Sequence, residues 1–172
     1  MSEITESDIF TEQLLKSSGL DYTIVYPPFA DLLSFYYGPG PYVHGIKVPA
    51  KYGKMASATR DELAEAHAEI LSTPGHENKT YSLGEFHHIS FSDIANILSD
   101  IKGQPVSFTT ITPEEYIDGI VVKGASRNVA EFITNWVLAI EGGEFEHQSG
   151  DLEQLLGRKT KTFHDLMVTA LG

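Results

Sequence analysis

The segment Asp21-Tyr-Thr-Ile-Val-Tyr26, closed by Pro27-Pro28, constrains the fold more than any other part of the chain. Tyr22 to Tyr26 is an almost unbroken run of aromatic and β-branched residues, so it predicts a strand. A strand with one wet face would alternate apolar and polar residues; this one does not, which predicts burial on both faces, as in a parallel sheet. Such a strand needs neighbours on both edges. Burying each large apolar side chain is worth about 1.5–3 kcal/mol. An open edge beside that apolar surface would drive association.

The surrounding pattern predicts an α/β fold. Residues 8–18 read as a helix with Phe10, Leu14 and Ile9 facing inward, stopped by Gly19. Residues 29–53 mix Phe29, Leu32, Leu33, Phe35, Tyr36, Tyr37 and Tyr42 with glycines and prolines, and read as a long loop with one helical turn from Asp31. From residue 55 the pattern becomes regular. A strand at 55–58 leads to Thr59-Arg-Asp-Glu62, a capping box that opens a helix to about Leu71. Strands follow at 79–83 and 105–111, and Ser90 starts a helix between them. Thr112-Pro-Glu-Glu115 opens another helix, and residues 126–141 carry Val129, Phe132, Ile133, Trp136, Val137 and Ile140 at helical spacing. Phe132 is expected in the core. Short helices at 152–156 and 162–171 close the chain. The whole reads as one domain, a partial parallel sheet over 1–85 followed by a helix-rich lobe over 86–172. In a second arrangement, the strand at 21–26 joins those at 55–58, 79–83 and 105–111 in one small closed sheet.

Composition excludes several function classes. Twelve basic and 24 acidic residues give a net charge of -12, which opposes binding to nucleic acid or to anionic membrane surfaces. No run of about 18 apolar residues predicts a membrane span. The acidic start Met-Ser-Glu-Ile-Thr-Glu lacks a secretory core, so a cytoplasmic protein is expected. With no cysteine there is no disulfide, thiolate nucleophile or thiolate metal site. His87-His88 are adjacent and point apart on extended backbone, and His67 falls on the inward face of its helix, so no metal is expected. Asp61, Glu62, Glu65 and Glu69 read as a solvated acidic face. No Gly-x-Ser-x-Gly elbow or P-loop is present. Nor is there a glycine-rich turn between a strand and a helix to cradle a pyrophosphate.

Four segments, in order, carry a family resemblance. They are Thr11–Ile24, Gly53-Lys-Met-Ala-Ser-Ala-Thr-Arg-Asp-Glu-Leu-Ala-Glu-Ala66, Pro74–Tyr81 with Ile89-Ser-Phe-Ser-Asp-Ile94, and Gly143-Glu-Phe145 with Ser149–Arg158. Together they resemble the NmrA-like, atypical short-chain dehydrogenase/reductase family, in particular its NAD(P)H:quinone oxidoreductase-like members. The resemblance implies the C-terminal portion of such an enzyme, with the Rossmann half absent. That missing piece would be roughly a hundred residues, about three βαβ units of 30 or more residues each. NADP or NAD is implied as cofactor, with its nicotinamide beside the backbone of Pro27, Pro28 and Phe29, where open α/β sheets place ligands. The same prolines also serve simply to end a strand. Phe29, Leu33, Tyr36, Tyr37, Tyr116 and Trp136 are the candidate wall for a planar, quinone-like ring. An arginine common in the family before that proline is replaced by Tyr26, and Ile4 and Asp8 stand where other short-chain dehydrogenases carry a Tyr-x-x-x-Lys pair. No catalytic residue is assigned. A homo-oligomer or pairing with a separate N-terminal half is expected, and a non-catalytic binding or sensing module is the alternative.

Overall fold

A computed structural model of the protein describes residues 3–26, 44–56, 58–84, 88–146 and 149–171. Its elements are α1 (Glu3–Ser17), β1 (Thr23–Tyr26), β2 (Ile46–Val48), β3 (Lys54–Met55), α2 (Arg60–Ser72), β4 (Lys79–Ser82), β5 (Ile89–Ser90), α3 (Phe91–Lys102), β6 (Phe108–Thr110), α4 (Pro113–Val122), α5 (Arg127–Glu141), α6 (Asp151–Leu156) and α7 (Phe163–Leu171). The fold is α/β, mostly helical, with parallel strand pairs. β1 runs parallel to β4, with Thr23 opposite Lys79 and Tyr26 opposite Ser82. β2 runs parallel to β6, and β3 pairs antiparallel with β5. Among the described residues these are three separate pairs, so the single closed sheet does not form.

Two hydrophobic clusters hold the elements. The larger joins Ile46 and Val48 of β2 with Phe91, Ile94 and Leu98 of α3, Ile133, Val137 and Ile140 of α5, and Phe163 of α7. Helix α3 shows why: Phe91, Ile94, Ala95 and Leu98 stand at i, i+3, i+4 and i+7 and are all buried. Its ends are set by the Ser90/Asp93 capping box and by Gly103 in the left-handed conformation at φ 65°. The smaller cluster joins Ala58, Ala66, Leu83 and Leu152, with Val25, Leu63 and Tyr81 packed against it. Segments therefore interleave: β2 and β3 precede α2 in the chain but serve the larger cluster, while α6, far downstream, serves the β1–β4 pair.

Four expectations are corrected. β1 is only half-buried, because among the described residues it is laddered on one edge. In α1, Phe10 is 62% exposed and Leu14 55%, and Ile9 is also exposed, since the described residues supply no surface for that face. On α5 the buried stripe is Ala130, Ile133, Val137 and Ile140, while Phe132 is 58% exposed. The small Ala130 faces inward at helical spacing from Ile133 and turns Phe132 outward. The stretch expected as loop over 29–53 contains β2, three residues hidden among glycines and prolines.

Candidate functional site

Of the residues expected at a ligand crevice, Pro27, Pro28, Phe29, Leu33, Tyr36 and Tyr37 lie outside the described residues. Tyr26, the last residue of β1, is described. Its hydroxyl donates to the Glu12 carboxylate of α1. Partial burial first, and then the bond to Glu12 and its negative charge, push the phenol up to about 12. At neutral pH Tyr26 is therefore a protonated donor committed to Glu12. Tyr116 is buried within the larger cluster, and Trp136 packs half-buried against that cluster. The Trp136 ring lies 5.4 Å from that of Phe145, tilted by 32°, and 6.2 Å edge-on from Phe132.

Helix N-termini are the usual place for a phosphate, because their free N–H groups and dipole favour an anion. Five of the described starts are already taken, whereas α6 begins at Gly150 with no side-chain cap. Thr59 with Glu62, Ser90 with Asp93, and Thr112 with Glu115 close reciprocal capping boxes on α2, α3 and α4. Thr162 and Asp165 make the same exchange at α7: each backbone N–H bonds the other's side chain, at 3.1 and 3.2 Å. Ser126 caps α5 with its hydroxyl. Four of these starts thus hold a carboxylate, which would repel a diphosphate placed there. Those four starts do not fit the phosphate portion of a dinucleotide.

The segments that carry the family resemblance prove to be joints of the fold. Glu62, expected on a solvated acidic face, is 1% exposed. Its carboxylate accepts the Thr59 N–H and hydroxyl, the Lys161 N–H at 2.8 Å, and Arg158 at 3.1 Å. Arg158 also reaches Glu65 at 2.5 Å. Burial pushes the Glu62 carboxyl up, but the Lys161 N–H, the Thr59 hydroxyl, Arg158 and the Thr59 N–H outweigh it and hold the group below its ordinary value. Asp61, Glu65 and Glu69 are exposed as expected, and Glu62 alone is corrected, to a buried clamp between α2 and the segment after α6.

A second joint lies at Gly53. One oxygen of Glu141, at the end of α5, accepts the N–H groups of Lys51, Tyr52 and Gly53 at 2.8, 2.9 and 2.7 Å. Burial raises that carboxyl, and the three N–H bonds more than offset it, so it too is lowered. A Cβ on Gly53 would stand 2.6 Å from the Glu141 backbone nitrogen, so only glycine allows this approach. A third joint seals β4. Asp151 accepts the Ser82 N–H at 2.9 Å, and the Ser149 hydroxyl donates to the Ser82 carbonyl at 2.7 Å. Sequence reasoning missed the roles of Glu62, Glu141 and Asp151. For Glu62 a signal existed, since a capping glutamate fixed by Thr59 cannot also extend into solvent.

His67 is half-buried, with Nδ1 2.6 Å from the Leu63 carbonyl oxygen. Among the described residues no group of three histidine, aspartate or glutamate side chains is arranged to hold a metal ion, and no helix is long and apolar enough to cross a membrane.

No family model matches the chain. It is 29% identical over 161 residues to quinone oxidoreductase 2 of Escherichia coli, covering 92% of this chain and 56% of that protein. It is 24% identical to an NAD(P)H azoreductase of Xenophilus azovorans, covering 88% and 54%. Among solved structures, the E. coli quinone oxidoreductase superposes with a TM-score of 0.90 at 23% identity, over 99% of this chain and 62% of that one. The triphenylmethane reductase of Citrobacter sp. complexed with NADP(H) gives 0.82 at 29% identity, over 94% and 57%. The chain is thus similar to NmrA-like, quinone oxidoreductase 2-type oxidoreductases and spans about half the length of those relatives.

Proposed function

We propose that this chain is the C-terminal, substrate-side portion of an NAD(P)H-dependent oxidoreductase that acts on quinone-like acceptors, with the diphosphate held by residues other than the described ones. The observation that carries the reading is the superposition on the E. coli quinone oxidoreductase at a TM-score of 0.90 along 99% of the chain. The acceptors named for the relatives, quinones, azo compounds and triphenylmethane dyes, are all conjugated ring systems that stack on aromatic faces. In this chain the half-buried Trp136 with Phe145 offers such a face, and Phe29, Leu33, Tyr36 and Tyr37 would complete it. Pro27, Pro28 and Phe29 would meet the nicotinamide.

Trp136 is the sole tryptophan and so reports on its own surroundings. A soluble naphthoquinone should quench its emission saturably at micromolar concentration. NADPH titrated into the chain alone should leave the spectrum unchanged up to millimolar. Quenching that rises linearly with quinone, as for free tryptophan, would overturn the substrate-side assignment. The self-capped helix starts favour one second reading, a non-catalytic binding module, which predicts no saturable response to either compound.

A further inference from the structure

Four consecutive backbone amides, in the strap that runs from β2 into β3, donate to carboxylates at one end of α5. Lys51, Tyr52 and Gly53 share a single oxygen of Glu141, and Lys54 donates to Glu146 at 3.2 Å. Successive N–H groups that converge in this way make a backbone concavity for an anion, here filled by the chain's own carboxylate. The arrangement is unfavourable for the helix itself. Glu141 is the last residue of α5, where the dipole disfavours a carboxylate, and no basic residue in the last turn offsets it. A residue that opposes its own helix serves a contact made at a distance.

In this joint the strap is the fixed partner, because Met55 is buried in the larger cluster and pairs with Ile89 of β5. Onto it Glu141 draws the end of α5 so closely that only glycine fits at position 53. The turn that follows contains Gly142 and Gly143, the latter at φ 77°, and glycine leaves such a turn many conformations. The helix's own capping bonds end at Glu144, whose N–H reaches the Ala139 carbonyl at 3.1 Å. Past that point the strap holds the turn. Ala56 donates to the Phe145 carbonyl, a long bond at 3.4 Å, and Lys54 holds the side chain of the exposed Glu146. Neither bond is strong, so the three-amide clamp at Glu141 sets how closely the turn approaches. The Phe145 ring, carried by that turn, lies 5.4 Å from the ring of Trp136.

We infer that Glu141 is a positioning residue: by docking the turn after α5 on the strap it sets Phe145 against Trp136, and with it the width of the face on which a planar conjugated acceptor stacks. The acceptor half rests on the substrate-side reading; the positioning half stands on the contacts alone.

Trp136 reports the outcome in the full 172-residue chain. Glu141→Ala should move its emission to longer wavelength as Phe145 withdraws. It should also weaken saturable quenching by a soluble naphthoquinone about three- to tenfold, the worth of one stacked ring. Glu141→Gln keeps an oxygen for the three N–H groups and should match the parent in both readouts. Glu146→Ala removes the Lys54 tie at an exposed position and should shift the emission in the same direction, by less. Glu62→Ala serves for comparison, since it loosens α2 away from this joint and should leave emission and quenching as in the parent. Unchanged emission in a folded Glu141→Ala, or an equal shift in Glu62→Ala, would overturn the inference. If circular dichroism shows Glu141→Ala unfolded, Glu146→Ala decides, and an unshifted emission there overturns it. Saturable quenching that is equally strong in the parent and in Glu141→Ala refutes the inference and keeps the substrate-side reading. A shifted emission with no saturable quenching in the parent keeps the positioning role and refutes that reading.

Discussion

Replacing Glu62 by alanine tests whether the segments that carry the family resemblance are structural joints. The carboxylate is buried and accepts from Thr59, Arg158 and the Lys161 backbone. Its removal leaves the Thr59 and Lys161 N–H groups without their acceptor, takes one of Arg158's two carboxylate partners and also breaks the α2 capping box. Removing one partner of a buried ion pair costs about 3–5 kcal/mol. Arg158 reaches solvent, so the lower end applies, about 3 kcal/mol. For a domain of this size that lowers the melting temperature by about 6–12 °C. Glu62→Gln keeps the volume and one acceptor oxygen, and should lose roughly half as much. Glu115→Ala is the control, because it breaks a capping box of the same geometry at an exposed site with no arginine. Urea titrations followed by circular dichroism at pH 7 would rank the three variants. If Glu62→Ala and Glu115→Ala shift the midpoint equally, the tertiary clamp contributes nothing and the reasoning fails.

Acid should act through the same carboxylates. Glu62 and Glu141 both titrate below their ordinary value of 4.5 in the folded chain, so the folded state binds fewer protons than the unfolded one. Their contribution is fully present above that value and is lost as pH falls through and below it; Glu62→Gln should flatten the urea midpoint measured from about pH 5 to about pH 3. Gly53→Ala forces the chain away from the end of α5, and should destabilise by about 1–3 kcal/mol through overpacking. Thermal melts of Gly53→Ala and Gly19→Ala should separate the two, since a Cβ at Gly19 meets nothing within 4 Å and only its φ of 78° opposes it.

The sequence made the helices legible and the sheet much less so. Thr59-x-x-Glu62 and Thr112-x-x-Glu115 placed two helix starts and Ser90 a third, because a cap is a local hydrogen-bond exchange that needs no distant partner. The apolar spacing of α3 was equally local. β5 escaped notice since two residues carry no period, and β2 lay within the expected loop. Of the candidate site, Tyr116 and Trp136 both belong to the larger cluster, while Phe29, Leu33, Tyr36 and Tyr37 lie outside the described residues.

Local patterning thus settled where most helices begin, that the class is α/β, and which charge balance the surface carries, because those properties depend on neighbours within a turn or two. Which face of α5 is buried and whether Glu62 meets water or Arg158 depended on residues up to 99 positions apart. Contacts of that separation form only when the whole chain closes on itself, and no short window of sequence records them.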